Sequence, residues 1–237
     1  MSASTGAESV VHDDLRGRIA TTIANPVLGR RPRRTALTLA ALAALVALHL
    51  ASHLASREVA GVRAQTTSPA FDTLSAIVIV VSLVAILAGP FCYALWNGGP
   101  ALSFAIPLVP IAFGELVARR WVLDVDAVVA LTTGVVGAAL ALYATEVAAT
   151  GSARPWRRRR PAAGSVLFVA VVAVGSAIAV TRFVLVAPDR LVDAYTPFAG
   201  LWLVALAVGG AYGVDWLRRR RDRSGRATDG LGDSHRS

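Results

Sequence analysis

Six apolar stretches, each 17 to 23 residues long and separated by clusters of arginine, limit what this chain can fold into. They run from Thr35 to Leu54, Leu74 to Trp96, Ala101 to Val117, Ala127 to Thr145, Gly164 to Val186 and Pro197 to Val214. A bilayer core of ~30 Å is crossed by about 20 apolar residues in a helix. Each stretch is apolar on all sides and lacks the polar stripe of a helix lying on a soluble core. Hydrocarbon offers no partner to open backbone groups, so helices are the expected form, and barrel strands would be shorter and would alternate. The expected fold is therefore all-α: a polytopic membrane bundle of six transmembrane helices over residues 35–217. An N-terminal segment, 1–34, precedes it and an Arg-rich tail, 218–237, follows it.

Charge sets the orientation. Hydrophobic residues make up 55% of the chain and charged residues 16%, below the roughly 25% of an ordinary soluble protein. The net charge is +9, carried by 24 arginines and no lysine. A nucleic-acid partner is not expected, because that needs a basic face on a soluble domain and no segment is long enough to form one. The arginines stand instead at the ends of the apolar runs, where they mark the cytoplasmic side. With the N-terminus inside, segments 1–34, 97–100, 146–163 and 215–237 hold eighteen of the 24. The outer loops hold Arg57, Arg63, Arg119, Arg120 and Arg190, and Arg182 lies within the fifth run. Merging the second and third runs into one re-entrant hairpin would put Arg157–Arg160 and Arg218–Arg221 on opposite sides, which favours six crossings. Both termini are thus expected in the cytoplasm of a cell-membrane protein. Trp96, Trp156 and Trp216 then fall near the inner boundary and Trp121 at the outer one, the depths tryptophan favours. The first run follows 34 mostly polar residues and is longer than a signal-peptide core, so it reads as a retained helix.

The flanks carry weaker patterns. Val11, Leu15, Ile19 and Ile23 recur every four residues, which suits either a short amphipathic helix on the inner surface or a disordered tail with chance periodicity. The Gly-, Ser-, Asp- and Arg-rich stretch from Arg223 is expected to be disordered.

Polar groups inside a membrane are the default functional candidates. His49 and His53 are four residues apart and share a helix face, with Thr38, Ser52 and Ser56 on or near it. Imidazole suits a metal, a haem or a proton relay. With Glu115 and Asp126 placed toward the same outer end, His49, His53, Glu115 and Asp126 form a candidate metal set. The plainer alternatives are hydrogen bonds from the histidines to neighbouring helices and a Glu115–Arg119 pair at i+4. Arg182, the intramembrane charge, either reaches out to the headgroups or pairs with Glu115 or Asp126. Pro107, Pro110 and the Gly89-Pro90 pair are expected to kink the third and second helices. Gly209 and Gly213, and Gly134 and Gly137, are expected to serve close helix packing inside the bundle. The single cysteine, Cys92, forms no redox or metal motif. Metalloprotease, Walker and dinucleotide fingerprints are absent from the sequence. No cofactor is predicted, and the expected partners are the lipid bilayer and other membrane proteins. Three functions remain in view. They are a non-catalytic structural or partner-binding membrane component, a small transporter or channel, and a membrane enzyme or cofactor protein built on the His49/His53 face.

Overall fold

The computed structural model describes residues 17, 21–22, 24–61, 69–118, 123–158 and 161–232. Among them the regular elements are nine helices, with no strand. They are α1 (Pro32–Gly61), α2 (Pro69–Leu87), α3 (Gly89–Trp96), α4 (Pro100–Ala118), α5 (Val125–Thr150), α6 (Pro155–Arg158), α7 (Ala163–Val186), α8 (Asp189–Ala199) and α9 (Trp202–Gly232). Val11, Leu15, Ile19 and Ile23 lie outside the described residues.

Local chemistry sets many of the boundaries. Pro32, Pro69, Pro100 and Pro155 each open a helix, the position where a missing N–H is harmless and a fixed φ helps. The Asp124 carboxylate caps α5 by accepting from the Ala127 amide at 3.0 Å. At its other end α5 stops on Gly151, whose φ of 62° is the left-handed conformation glycine adopts without strain. Helix α9 continues through the Arg block to Gly232, into the stretch read from sequence as tail. Arginine is a good helix former, which suits that continuation.

Helices α1 over Pro32–Ala55, α5 and α7 are each long and apolar enough to cross a bilayer. Two further crossings arise if bent pairs count as one: α2 with α3, bent by 54°, and α8 with α9 as far as Asp215, bent by 49°. The chain is therefore an all-helical bundle with three to five candidate membrane-spanning helices among the described residues. The first bend falls at Gly89-Pro90. Pro90 cannot donate, and its ring crowds the carbonyl four residues back. Gly89 lets α4 approach, since a Cβ there would sit 2.6 Å from Ile106. The second bend falls at Gly200-Leu201, where the Leu201, Leu203 and Val204 amides each reach back only three residues, a tighter turn than the α-helix. The α8 stretch is amphipathic: Asp189, Arg190 and Asp193 point out while Tyr195 is buried. Its polar face is why the sixth apolar run reads from Pro197 onward.

Helix α5 is the axis. Some 78% of its apolar stretch is buried, against 11% for α1 and 17% for α7. It packs on α2, α3, α4, α6, α7, α8 and α9. Helix α4 lies antiparallel along it from end to end. Thr145 meets Gly98 at the foot of α4. Gly134 faces Phe104 and Pro107 midway. Leu108 and Ile111 pack on the Val128–Ala130 cluster near the top. Helix α4 stays one helix through Pro107 and Pro110, both buried. Close contact comes from glycine, because a Cβ on Gly134 would lie 2.9 Å from the Phe104 carbonyl oxygen and one on Gly137 2.5 Å from Pro90. Gly209 and Gly213 behave differently. A Cβ at either would meet nothing within 4 Å, so the sixth run's glycines face outward and do not pack inside the bundle.

Candidate functional site

A buried polar network lies where arginine-bearing helix ends gather. The three residues Asn97-Gly98-Gly99 join α3 to α4 and, with Pro100, are all buried. The segment leading into α1 folds over them. Arg30 donates its backbone N–H to the Asn97 carbonyl at 3.0 Å and its Nε to the same oxygen at 3.3 Å. The Ala101 amide donates to the Val27 carbonyl at 3.0 Å. Asn97 itself is 0% exposed. Its Oδ1 accepts from the Arg31 amide at 3.0 Å, and its Nδ2 donates to Thr35 Oγ1 at 3.0 Å and to the Tyr93 hydroxyl at 2.8 Å. The Arg31 amide can only donate, which fixes which end of the carboxamide faces it. The Tyr93 hydroxyl donates to the Leu28 carbonyl at 2.6 Å, and Thr35 Oγ1 donates to the Arg31 carbonyl at 3.3 Å. Every side-chain donor and acceptor in this group has a consistent role. Buried networks satisfied in this way rigidify the structure around them.

Arginine closes the outside of the knot. The Arg34 guanidinium donates to the Trp96 carbonyl and stacks over the indole, 5.0 Å from its centroid. Thr145 Oγ1 donates to the Gly98 carbonyl at 2.6 Å, which ties the C-terminal end of α5 to the same turn. Next to it Trp156 on α6 stands 6.3 Å from Tyr143 of α5 and 5.9 Å from Tyr212 of α9, centroid to centroid. Arg30–Arg34, Arg154–Arg158 and Arg218 therefore share one end of the bundle.

The histidine face lies in the other half. His49 Nδ1 is 2.8 Å from the Leu45 carbonyl and Nε2 is 3.0 Å from Ser82 Oγ on α2. A carbonyl only accepts, so Nδ1 carries the proton; the Ser82 hydroxyl also lies 2.7 Å from the Val78 carbonyl, and its one proton is shared between that oxygen and Nε2. The Phe113 ring of α4 stands edge-on to the imidazole at 5.7 Å. His49 thus joins α1, α2 and α4. His53 is half-buried one turn further on, and Asp126 is exposed in the first turn of α5. The Glu115 side chain lies outside the described residues. Among the described residues no three His, Cys, Asp or Glu side chains come together as a metal would require. Arg182 is exposed on α7.

A second buried polar chain links α5 to the bend above α9. Thr132 Oγ1 donates to the Val128 carbonyl at 2.8 Å, so the Tyr195 hydroxyl, 3.0 Å away, donates to it and accepts from Trp202 Nε1 at 3.0 Å. Removing that hydroxyl in Tyr195→Phe leaves the indole N–H without its acceptor. The expected result is a loss of about 1–2 kcal/mol, read as a lower unfolding temperature in detergent and a shift in tryptophan emission.

Sequence reading missed Asn97 and its partners. One local signal was present: Asn97-Gly98 is a turn dipeptide, and the loop it opens carries no arginine of its own while the other segments expected on the same side do. The guanidiniums of Arg30 and Arg34 reach it from 67 and 62 residues away. No protein-family model, curated protein or solved structure matches the chain.

Proposed function

We propose that this is a six-crossing protein of the cell membrane with both termini in the cytoplasm, acting as a non-catalytic scaffold that binds partner helices. The sixth crossing is α4, whose contacts follow α5 from Thr145 to the Val128–Ala130 cluster. Its apolar part, Pro100–Gly114, is shorter than the other candidate spans, and the full 19-residue helix rises about 28 Å. The cytoplasmic assignment draws on the gathering of three arginine-bearing ends at one end of the bundle.

The observation that carries the scaffold reading is how the apolar surface is divided. The axis is filled, with Gly134 and Gly137 of α5 drawn against Phe104, Pro107 and Pro90. The outer helices turn large apolar residues outward: Leu167, Val171, Val174 and Ile178 on α7 are each about 60% exposed. On α9 the open Gly209 and Gly213 offer the spacing at which helices approach one another in lipid. The transporter or channel reading draws on the two bends, since broken helices line substrate paths in many carriers. Flux into proteoliposomes above that of protein-free vesicles would overturn the scaffold in favour of that reading.

Single cysteines in a Cys92→Ser background test the crossings. An impermeant maleimide added to intact cells is expected to label Arg120→Cys and Ala187→Cys, and to reach Ala153→Cys only after permeabilisation. Labelling of Ala153→Cys in intact cells would reverse the orientation. An unlabelled Arg120→Cys that reacts once cells are opened would remove α4 as a crossing.

A further inference from the structure

Beside the Asn97 knot, a half-open groove of ≈ 330 Å³ separates α6 from α9. Its floor is one face of α9, made of Ala207, Gly210, Ala211 and Val214. Trp156 forms the side wall, held in place by the Tyr143 and Tyr212 rings. The rim carries Arg157, Arg218 and Asp215, two guanidiniums against one carboxylate. Arg158 is exposed next to it. The groove is thus apolar along the helix, cationic at one end, and walled by an indole of the kind that sits at headgroup depth.

Its length selects the ligand. From Arg218 to Ala207 the helix rises about 16 Å, half of a ~30 Å hydrocarbon core. That span suits one acyl chain hanging from a headgroup, and it is longer than a free anion needs. Gly210 keeps the floor open, because a Cβ there would meet nothing within 4 Å.

We propose that this groove binds one anionic phospholipid, with its phosphate at Arg157 and Arg218 and one acyl chain along the Ala207–Val214 face. The site rests on the reading that this end of the bundle lies at a bilayer surface.

Native mass spectrometry of the full chain in mild detergent tests it, with palmitoyl-oleoyl phosphatidylglycerol, palmitoyl-oleoyl phosphatidylcholine and inorganic phosphate as separate probes. One phosphatidylglycerol is expected to be retained at about five-fold lower concentration than phosphatidylcholine, and Arg218→Gln to remove about that factor. Gly210→Leu puts a side chain on the floor at a position where an added Cβ meets nothing within 4 Å, and is expected to abolish the adduct. Gly213→Leu, also open but outside the groove, is expected to leave it intact. Equal retention of the two lipids, or an adduct that survives Gly210→Leu, would overturn the proposal. Displacement by inorganic phosphate would reduce the site to an anion site and overturn its acyl half. Absent lipid binding alongside the expected cysteine labelling sinks this site alone, whereas reversed labelling sinks the membrane placement beneath it.

Discussion

Gly99→Ala is expected to release the N-terminal segment from the bundle. A Cβ at this position would stand 1.7 Å from the Leu28 carbonyl oxygen and 2.2 Å from its carbon. Both atoms are backbone, so no side chain can swing aside, and the two strands of chain must part. Parting them withdraws the Ala101–Val27 and Arg30–Asn97 backbone bonds and moves Leu28 away from the Tyr93 hydroxyl. Asn97, at 0% exposure, then keeps its carboxamide in an apolar interior with fewer partners. Overpacking against backbone together with the lost bonds amounts to roughly 3–5 kcal/mol. The measurements are the midpoint of thermal unfolding in detergent and the rate of proteolysis before Pro32. Both should change together, and a Gly99→Ala protein with wild-type melting and protection would mean that segment 24–31 does not lie on the α3–α4 turn. Gly98→Ala is a useful companion, because it has a φ of 70° and a Cβ there would meet Thr145 Oγ1 at 2.4 Å. Its expected effect is smaller, since a hydroxyl can rotate away.

Gly137→Leu is expected to separate α5 from α3. The first added atom would fall 2.5 Å from Pro90 Cβ and 3.2 Å from its backbone. Pro90 is itself pinned at the bend between α2 and α3, so neither partner yields cheaply. Spreading the axis opens the contacts of Val135, Val136 and Ala138, which are at most 1% exposed. A loss of at least about 3 kcal/mol follows from forced repacking at a filled site. Gly209→Leu provides the contrast. It places the same side chain on an open face and is expected to leave monomer stability within about 0.5 kcal/mol of the parent. A comparison of unfolding midpoints for the two variants separates packed from open glycines directly. Equal midpoints would mean that α5 is not the buried axis.

That contrast also shows what a sequence can and cannot disclose. Four of the six apolar runs lie within single helices and the second and sixth each fall across a bend, because length and all-round apolarity are local properties while a bend depends on its neighbours. The bend at Gly89-Pro90 was nonetheless legible, being written in one dipeptide. The glycine pairs of α5 and α9 look alike in the sequence, yet one set is filled by Phe104 and Pro90 and the other faces outward. What distinguishes them is which helices stand alongside, and spacing within one helix carries no record of that. His49 was legible as a polar group needing a partner, but Ser82 was not nameable as that partner, since it lies 33 residues away on α2. The Asn97 knot was hidden most deeply. Its long-range bonds join positions 62–74 residues apart, and its central residue reads as an ordinary turn former.

The knot has a consequence for how the chain is made. Every group in it, from Val27 to Ala101, leaves the ribosome before the first residue of α5 does. The leading half can therefore clasp itself shut while its central strut is still untranslated. Helix α5, rich in alanine, valine and threonine, follows, and its Thr145 hydroxyl can reach the Gly98 carbonyl only once its last turns are made.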